Sequence, residues 1–325
     1  MRILVALGGN ALLRRGERPD ADLQQVNVLA AAAAIAELAT EHEVVLTHGN
    51  GPQVGMLALE SAADPALTRP YPLDVLGAQT QGMIGYLLGQ ALQNVVPGKQ
   101  VATLMTQTLV SVADPAFTDP TKFVGPVYTD EQAATLATER DWTLRPDGSS
   151  WRRVVPSPRP QRVVETPVIH ALVGAGTIVV CAGGGGVPVV RDEHTGRLRG
   201  VEAVVDKDRT AALLAEALDA DALLLLTDVP AVIDGYGTPH ATPIHHTTPA
   251  RLRSRDFPAG SMGPKVDAAC RFVELTGKTA AIGALDSPVA MLRGTDGTVI
   301  TPSGKPCSST DETGIRPTND GPRRR

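Results

Sequence analysis

Three glycine-rich segments directly follow apolar runs, and together they could hold an anion. They are Gly8, Gly9 and Asn10 in LVALGGN, Gly49, Asn50 and Gly51 in LTHGNG, and glycines 183–186 in VVCAGGGG. Backbone N–H groups at such turns form concave anion sites, and glycine lets an anion approach without a Cβ atom in the way. Each segment alone could be a simple tight turn. Their recurrence after three strands favours one shared phosphate-like ligand.

Two lysines stand at the start of predicted helices, where the helix dipole disfavours a cation. Lys207 follows Asp206, a predicted N-cap, and Lys265 follows Pro264, which suits the first helical position. A cation there loses about 0.3 to 1 kcal/mol, so the pair favours a bound anion that both lysines neutralise. An acid between the lysines would hold them in place, and Asp206 is the predicted residue. The alternative is that each lysine reaches solvent or pairs with an acid, namely Asp206, Asp208 or Asp267.

These groups suit phosphoryl transfer, which depends on positioning and on fixed positive charge from lysines, backbone amides and Mg²⁺. Two common phosphate signatures are absent. The GKT at 277–279 has Phe272 in place of the first glycine of a P-loop and follows a helix, so it predicts a helix C-terminus. Residues 49–54 do not complete GxGxxG. The sequence therefore argues against P-loop enzymes and Rossmann dehydrogenases.

Alternating strands and helices position these groups. Apolar runs predict buried parallel strands at residues 3–7, 44–46, 101–105, 177–181, 222–226 and 279–282. Helical spacing predicts helices at residues 23–38, 75–92, 206–218 and 264–275. This alternation predicts an α/β fold with a mostly parallel central sheet, whose carboxyl edge would carry all three glycine turns.

Three stretches depart from this alternation. Residues 113–165 are rich in proline, glycine and charge and too long for an ordinary loop, so they predict an inserted lid subdomain. Residues 230–258 contain turns and three histidines without an HExxH frame, so exposed or hydrogen-bonded imidazoles are expected at His240, His245 and His246 rather than a metal site. Residues 301–325 have few apolar side chains and are expected to be disordered. His48, beside the second turn, is expected to be packed.

Length and composition exclude several classes of protein. A chain of 325 residues exceeds the size at which one core usually stops growing, so two lobes or an insert are expected. A net charge of -5 argues against a broad nucleic-acid surface. The cysteines, at 181, 270 and 307, lack CxxC spacing and predict free thiols in the cytoplasm. No apolar run approaches 18 residues, so no membrane span is expected.

Eight motifs follow one another along the chain: VALGGNAL (5–12), THGNGPQVG (47–55), LDVLGAQTQGMIGY (73–86), DPAFTDPTKFVGP (114–126), WRRVVPSPRP (151–160), GVEAVVDKD (200–208), LLTDV (225–229) and GSMGPKVDAACRFV (260–273). They resemble the motifs of the carbamate kinases in the amino-acid kinase family, over residues 1 to about 300. The resemblance implies an open αβα sandwich and a homodimer. It also implies reversible phosphoryl transfer from ATP to carbamate, giving ADP and carbamoyl phosphate and running towards ATP in arginine catabolism.

The resemblance assigns roles residue by residue. The transferring phosphoryl group and the carbamate would be held by Gly8, Gly9, Asn10, Gly49, Asn50 and Gly51. The catalytic residues would be Lys207 and Lys265, which neutralise the phosphates, Asp206, which organises them, and Lys122, which reaches down from the lid. The nucleotide would lie along Thr227, Asp228, Val229, Tyr236 and Met262, with Mg²⁺ held mainly by the phosphates of ADP or ATP. An N-lobe of about residues 1–180 would bind carbamate and a C-lobe of about 181–300 the nucleotide.

Two positions depart from the family pattern, and two other functions stay open. Phe123 stands where a proline usually follows the lid lysine, and Gly235 where an asparagine is common before Tyr236. These departures bear on lid stiffness and nucleotide affinity. The alternatives are a related kinase with another carboxylate acceptor, such as acetylglutamate, or a non-catalytic sensor of nucleotide or carbamoyl phosphate. The joint presence of the three lysines and Asp206 favours an enzyme.

Overall fold

The computed structural model describes residues 1–13, 17, 20–257 and 262–304, apart from the side chains of residues 10 and 11. The described strands are β1 Arg2–Leu7, β2 Glu43–His48, β3 Val101–Thr103, β4 Gln107–Leu109, β5 Lys122–Tyr128, β6 Leu144–Asp147, β7 Ser150–Val155, β8 Arg162–Val163, β9 Ile178–Val180, β10 Val187–Arg191, β11 Leu198–Gly200, β12 Ala222–Thr227, β13 Val232–Asp234, β14 Thr242–Ile244, β15 His246–Thr247, β16 Thr279–Ala284 and β17 Thr298–Ile300. The described α-helices are α1 Gly9–Leu12, α2 Ala21–Glu41, α3 Gly51–Ala63, α4 Leu73–Val95, α5 Asp130–Arg140, α6 Thr166–Gly174, α7 Lys207–Ala217, α8 Pro249–Arg253, α9 Met262–Thr276 and α10 Pro288–Leu292.

An eight-stranded sheet lies at the centre of the fold. Its strand order is β15-β17-β16-β12-β1-β2-β9-β3. Neighbouring strands are parallel, apart from the antiparallel pair β16 and β17. The six predicted strands correspond to β1, β2, β3, β9, β12 and β16, and all six belong to this sheet. The predicted α/β class with a mostly parallel sheet is therefore confirmed.

Helices cover both faces of the central sheet because alternate residues of each strand point to opposite sides. Leu4 of β1 packs in one apolar cluster, with residues of α7 and α9. Ile3 and Val5 of the same strand pack in a second cluster, with residues of α2 and α4. The two clusters form the cores of a three-layer αβα sandwich, as predicted.

The four predicted helices correspond to α2, α4, α7 and α9. The expectation that Pro264 begins its helix is wrong, because α9 already includes Met262. The interpretation of GKT as a helix end is confirmed: Gly277 directly follows α9, has a φ of 69°, and donates its N–H to the carbonyl oxygen of Val273 at 2.9 Å.

Helix α2 is the described helix that is long and apolar enough to cross a membrane, with a mean hydropathy of 1.2. One face of the helix nevertheless packs inside the sandwich. Val28, Ile35 and Leu38 are buried in the second apolar cluster, and the helix runs along α4. This packing is that of a core helix.

The predicted insert contains a small sheet of its own, with strand order β5-β7-β6 and helix α5 beside it. We call residues 122–155 the inserted sheet. Val124 and Val155 pack against Val54 of α3 and Leu76 of α4, which joins the inserted sheet to the sandwich. The end of the predicted 113–165 segment belongs elsewhere, because β8 pairs with β4 in a second sheet of order β11-β10-β4-β8. Phe123 lies 5.9 Å from the guanidinium of Arg152.

Candidate active site

The three glycine turns meet at one edge of the central sheet. They follow β1, β2 and β9, which are neighbouring parallel strands. A Cβ atom on Gly49 would lie 2.7 Å from the backbone nitrogen of Gly9 and 3.1 Å from Cε of Lys207. A Cβ atom on Gly184 would collide with the side chain of Asn50. The predicted convergence of the turns is confirmed, and it requires glycine at these contacts.

Gly8 and Gly49, the first glycines of the first two turns, leave space for a ligand, but their N–H groups are already bound within the protein. Gly8 donates its N–H to the carbonyl oxygen of Leu226 at 3.0 Å, and Gly49 donates to that of Leu7 at 3.0 Å. Helices α1 and α3 begin one or two residues later, at Gly9 and Gly51, and N–H groups of a first helical turn lack a carbonyl partner within their helix. An anion at this edge would therefore meet the amides of Gly9 and Gly51. The side chain of Asn10 lies outside the described residues.

The two predicted lysines meet across a shared carboxylate. Lys207, the first residue of α7, donates to Oδ1 of Asp208 at 2.7 Å, and Lys265 of α9 donates to Oδ2 of Asp208 at 3.1 Å. All three side chains are at most 13% exposed. The acid between the lysines is thus Asp208, and the expectation that Asp206 takes this position is wrong. Both lysines therefore pair with Asp208, which is one of the three acids that the sequence offered as partners.

Asp206 has a different pair of tasks. As predicted, it is the N-cap of α7, and its Oδ1 accepts from the backbone N–H groups of Asp208 and Arg209 at 3.0 and 3.3 Å. Its Oδ2 accepts from Nζ of Lys122, the first residue of the inserted sheet, at 2.7 Å. The capping role leaves one carboxylate oxygen directed at the inserted sheet, so Asp206 brings Lys122 to the start of α7.

Burial and charge set the protonation of this cluster. Burial raises the pKa of Asp206, but the charges of Lys122 and Lys207 outweigh it and hold this pKa well below its usual range. Burial lowers the pKa of Lys207, and the carboxylates of Asp208 and Asp206 more than compensate, so that pKa is raised. The pKa of Lys265 is lowered, because burial and the Lys207 charge outweigh Asp208.

The charges of the cluster favour an anionic ligand. Within the part of the chain that the structure describes, the three ammonium groups of Lys122, Lys207 and Lys265 pair with two carboxylates, those of Asp206 and Asp208. Lys207 lies beside the amide of Gly9, because a Cβ atom on Gly49 would be 2.7 Å from that nitrogen and 3.1 Å from Cε of Lys207. A phosphate group here would receive charge-assisted hydrogen bonds from lysines and further bonds from the start of a helix, which is the arrangement that stabilises a transferring phosphoryl group.

The predicted nucleotide residues lie in the C-terminal half of the chain, at the end of β12, after β13 and at the start of α9. Thr227 ends β12, and its Cα would lie 3.8 Å from a Cβ atom on Gly8, so it borders the first turn. Its hydroxyl donates to Oδ1 of Asp228 at 3.1 Å, and Val229 follows. Tyr236 lies beyond β13 with 71% of its surface exposed. Met262 starts α9 and packs at the margin of the first core cluster. Their nucleotide contacts stay a prediction.

Two residues of this site were missed by the sequence reasoning as functional candidates. Asp208 directly follows Lys207, as Asp206 directly precedes it, so the second acid beside this lysine could have indicated the residue. Thr80 is fully buried in α4, and its hydroxyl accepts from Nδ2 of Asn50 at 2.8 Å. A lone threonine in an apolar helix carries no comparable signal.

The prediction of a packed His48 is confirmed: it is 1% exposed, and its Nδ1 lies 3.2 Å from the carbonyl oxygen of Gly49.

Among the residues that the structure describes, no group of three or more His, Cys, Asp or Glu side chains is placed to hold a metal ion. Cys181 and Cys270 are buried free thiols, as predicted. Burial raises the pKa of Cys270 to about 11. Cys307 and residues 305–325 of the predicted disordered tail lie outside the described residues.

Comparison with known proteins gives full-length matches. The model of the amino acid kinase family matches residues 1–283. The chain is 52% identical over 305 residues to the carbamate kinase of Rhizobium meliloti, covering 93% of this chain and 94% of that protein. It is 51% identical over 302 residues to the carbamate kinase of Haemophilus influenzae, covering 93% and 97%.

A solved structure matches over the same range. The carbamate kinase of Giardia lamblia bound to AMP-PNP superposes with a TM-score of 0.85 at 41% sequence identity, covering 92% of this chain and 98% of that one. The sandwich and the inserted sheet therefore belong to an architecture already seen in a nucleotide-bound kinase.

Proposed function

This chain belongs to the amino acid kinase family, and we propose that its site transfers a phosphoryl group reversibly between ATP and carbamate. It is a phosphotransferase with a carboxyl group as acceptor. The observation that carries the proposal is the excess of lysine charge at the meeting point of the glycine turns, where Lys122, Lys207 and Lys265 surround two carboxylates.

The proposed reaction is an in-line displacement. A carboxylate oxygen of carbamate attacks the γ-phosphorus of ATP, the bond from that phosphorus to the bridging oxygen breaks, and ADP leaves with the electron pair. The reverse reaction makes ATP from carbamoyl phosphate and ADP. Negative charge spreads over the equatorial oxygens, so fixed cations and amides lower the barrier without forming a covalent bond.

The described residues supply these cations in fixed positions. Lys207 and Lys265 would bind the oxygens of the transferring and β-phosphoryl groups, while Asp208 holds the two ammonium groups together. Lys122 would leave Asp206 to contact the same oxygens from the inserted sheet, which would then act as the lid. The amides of Gly9 and Gly51 would complete the cradle.

Magnesium fits this site through the nucleotide. The carboxylates of Asp206 and Asp208 already accept from lysines, so the phosphates of ADP or ATP would be the main Mg²⁺ ligands. Bound Mg²⁺ would neutralise part of the phosphate charge. The nucleotide itself would lie along Thr227, Asp228, Val229, Tyr236 and Met262, in a C-lobe of about residues 181–300, opposite an N-lobe of about 1–180.

The wider setting follows from the same proposal. A cytoplasmic enzyme of arginine catabolism would use the reaction to make ATP. Exposed apolar side chains on α2 and α4, among them Val26, Leu29 and Tyr86, would suit a homodimer interface. Sedimentation of the purified chain tests the dimer, and a monomer at micromolar concentration would contradict it.

The deciding experiment is ATP formation from ADP, Mg²⁺ and carbamoyl phosphate by the wild type, Lys207→Ala and Lys265→Ala. Fast wild-type turnover and a loss of 100-fold or more in each folded variant are expected, since one lost electrostatic donor costs about 10² to 10³ in rate. A folded wild type that binds ADP but makes no ATP would overturn the proposal. A subsequent screen of other carboxylate acceptors would then separate a related kinase from a sensor.

A further inference from the structure

The side chain of Asn50 does not cap the helix that it precedes. Asn50 is the residue before α3, a position where asparagine often accepts from the backbone, yet it makes no side-chain cap bond. Its Nδ2 instead donates to Oγ1 of Thr80 in α4 at 2.8 Å. The amide is therefore held by a neighbouring helix, away from its own.

Thr80 fixes which end of that amide is free. Its hydroxyl donates to the carbonyl oxygen of Gly77 at 2.8 Å, and a carbonyl can only accept. The single hydroxyl proton is thereby used, so Oγ1 can only accept from Asn50. The NH₂ group must face Thr80, and Oδ1 must face the other way. Thr80 is fully buried, which keeps water from replacing this bond.

The oriented amide lies between the second and third glycine turns. A Cβ atom on Gly184 would collide with it, so the turn approaches the amide closely. The next residue of α4 holds the third turn: Gln81 Oε1 accepts from the backbone N–H of Thr106 at 3.0 Å. Oγ1 of Thr106 in turn accepts from the backbone N–H of Ala182 at 2.9 Å. Consecutive residues of α4 therefore bind Asn50, through Thr80, and support the start of the third turn, through Gln81 and Thr106.

We propose that Thr80 determines acceptor specificity by presenting Oδ1 of Asn50, which can only accept, to the amino group of carbamate. The inference rests on the proposed function and extends it. Carbamate and acetate share a carboxylate, but carbamate carries an NH₂ donor where acetate has a methyl group. Oδ1 of Asn50 would accept a hydrogen bond from the NH₂ group of carbamate, whereas the methyl group of acetate would leave it unpaired. Sites built to bond a polar group reject analogues that lack it. Thr80 is a positioning residue that acts through Asn50.

The test compares carbamoyl phosphate with acetyl phosphate as phosphoryl donors to ADP. The wild type is expected to have the higher kcat/KM for carbamoyl phosphate. Thr80→Val keeps the shape of the side chain and removes the hydroxyl, so the Asn50 amide can turn. The ratio of the two kcat/KM values should fall about fivefold to tenfold, the value of one neutral hydrogen bond. Thr80→Ser restores the hydroxyl and should stay within about twofold of the wild type.

Thr276 provides a matched control. Its hydroxyl also donates to a helix carbonyl, that of Phe272 at 2.6 Å, and accepts one N–H, that of Lys278 at 3.1 Å. It lies at the last residue of α9. Thr276→Val removes the same two bonds away from the glycine turns and should leave the donor ratio unchanged.

A double variant shows whether Thr80 acts through Asn50. Asn50→Ala should lower the donor ratio, and adding Thr80→Val should lower it no further. A folded Thr80→Val with the wild-type ratio would overturn the proposal, as would an unchanged ratio in Asn50→Ala, which tests it even if Thr80→Val does not fold. A wild type that uses both donors equally would overturn it while leaving phosphoryl transfer intact. No ATP from carbamoyl phosphate would instead remove the proposed function.

Discussion

Lys122 of the inserted sheet and Asp206 at the start of α7 are joined by a 2.7 Å ion pair across 84 residues of sequence. The pair places a cation from the insert at the position where α7 presents its first amides. Because Asp206 also caps α7, one carboxylate couples the inserted sheet to the N-terminus of α7. Because of this geometry, we expect a substitution of Lys122 to affect activity and stability to different extents.

Replacing Lys122 with methionine should reduce activity strongly and stability little. The change removes one cation from the transferring group, which costs about 10² in kcat. The side chain of Lys122 is 38% exposed, and the buried carboxylate of Asp206 keeps its two backbone N–H donors, so loss of the ion pair should cost about 1 kcal/mol of the free energy of unfolding. ATP formation and urea unfolding measure the two quantities. Lys278→Met is the control for removal of a paired lysine charge, because Lys278 forms a 2.6 Å pair with the exposed carboxylate of Asp219, outside the candidate site. More than half of wild-type activity in Lys122→Met would contradict the assignment.

Replacing Asp208 with asparagine should destabilise the fold. The change leaves Lys207 and Lys265 close together without their shared carboxylate, and breaking a buried ion pair costs about 3 to 5 kcal/mol. Inorganic phosphate should restore part of this loss, because an anion replaces the missing charge. Thermal unfolding with and without phosphate measures both effects.

The control for Asp208 is Asp267→Asn. Asp267 is 45% exposed and pairs with Arg209 and Arg253, so its change should cost less than about 1 kcal/mol. An Asp208→Asn protein as stable as the wild type, or one that phosphate does not stabilise, would show that the two lysines do not repel each other in the fold.

The sequence predicted the parts of the fold with long apolar periods and missed those that depend on tertiary contacts. The central strands and α2, α4, α7 and α9 have long apolar runs or helical spacing. Helix α3 was missed because Gly51, Pro52 and Gly55 lower its helix propensity. It forms because Val54 packs on the inserted sheet and Gly55 lies against Gly125, where a Cβ atom would be 2.9 Å from Cα. Strands β4 and β8, of three and two residues, are too short to show a period.

The candidate site also contains residues that could be predicted from local sequence and residues that depend on tertiary contacts. The glycine turns, Lys207 and Lys265 are local signals, each readable within a few residues. Which of Asp206 and Asp208 lies between the two lysines could not be predicted locally, because both acids flank Lys207. Only the capping geometry decides which carboxylate turns to the backbone. Lys122 was found only by family resemblance, since its partner is distant in sequence.

Replacing Gly49 with alanine should damage both fold and activity. The new Cβ atom would lie 2.7 Å from the nitrogen and 2.9 Å from Cα of Gly9, so backbone must move at the meeting point of two turns. Overpacking of this kind costs about 1 to 3 kcal/mol, and a displaced Lys207 should lower turnover at least about tenfold. Gly174→Ala, at the end of α6 with nothing within 4 Å of its Cβ position, should change stability by less than about 0.5 kcal/mol. Equal unfolding midpoints and activities for the two variants would contradict the steric argument.

His48 should make the fold less stable as pH falls below 6.5. Burial lowers the pKa of His48 to about 4, whereas an unfolded histidine titrates near 6.5. Between these values the unfolded chain binds a proton that the folded chain does not, so the free energy of unfolding decreases as pH falls. The difference amounts to about 3 kcal/mol between pH 6.5 and 4. Urea unfolding at pH 7 and 4.5 measures it. His48→Gln should lose most of this pH dependence, while His240→Gln, at an exposed position, should keep it. The same pH dependence in wild type and His48→Gln would show that His48 is not buried as a neutral imidazole.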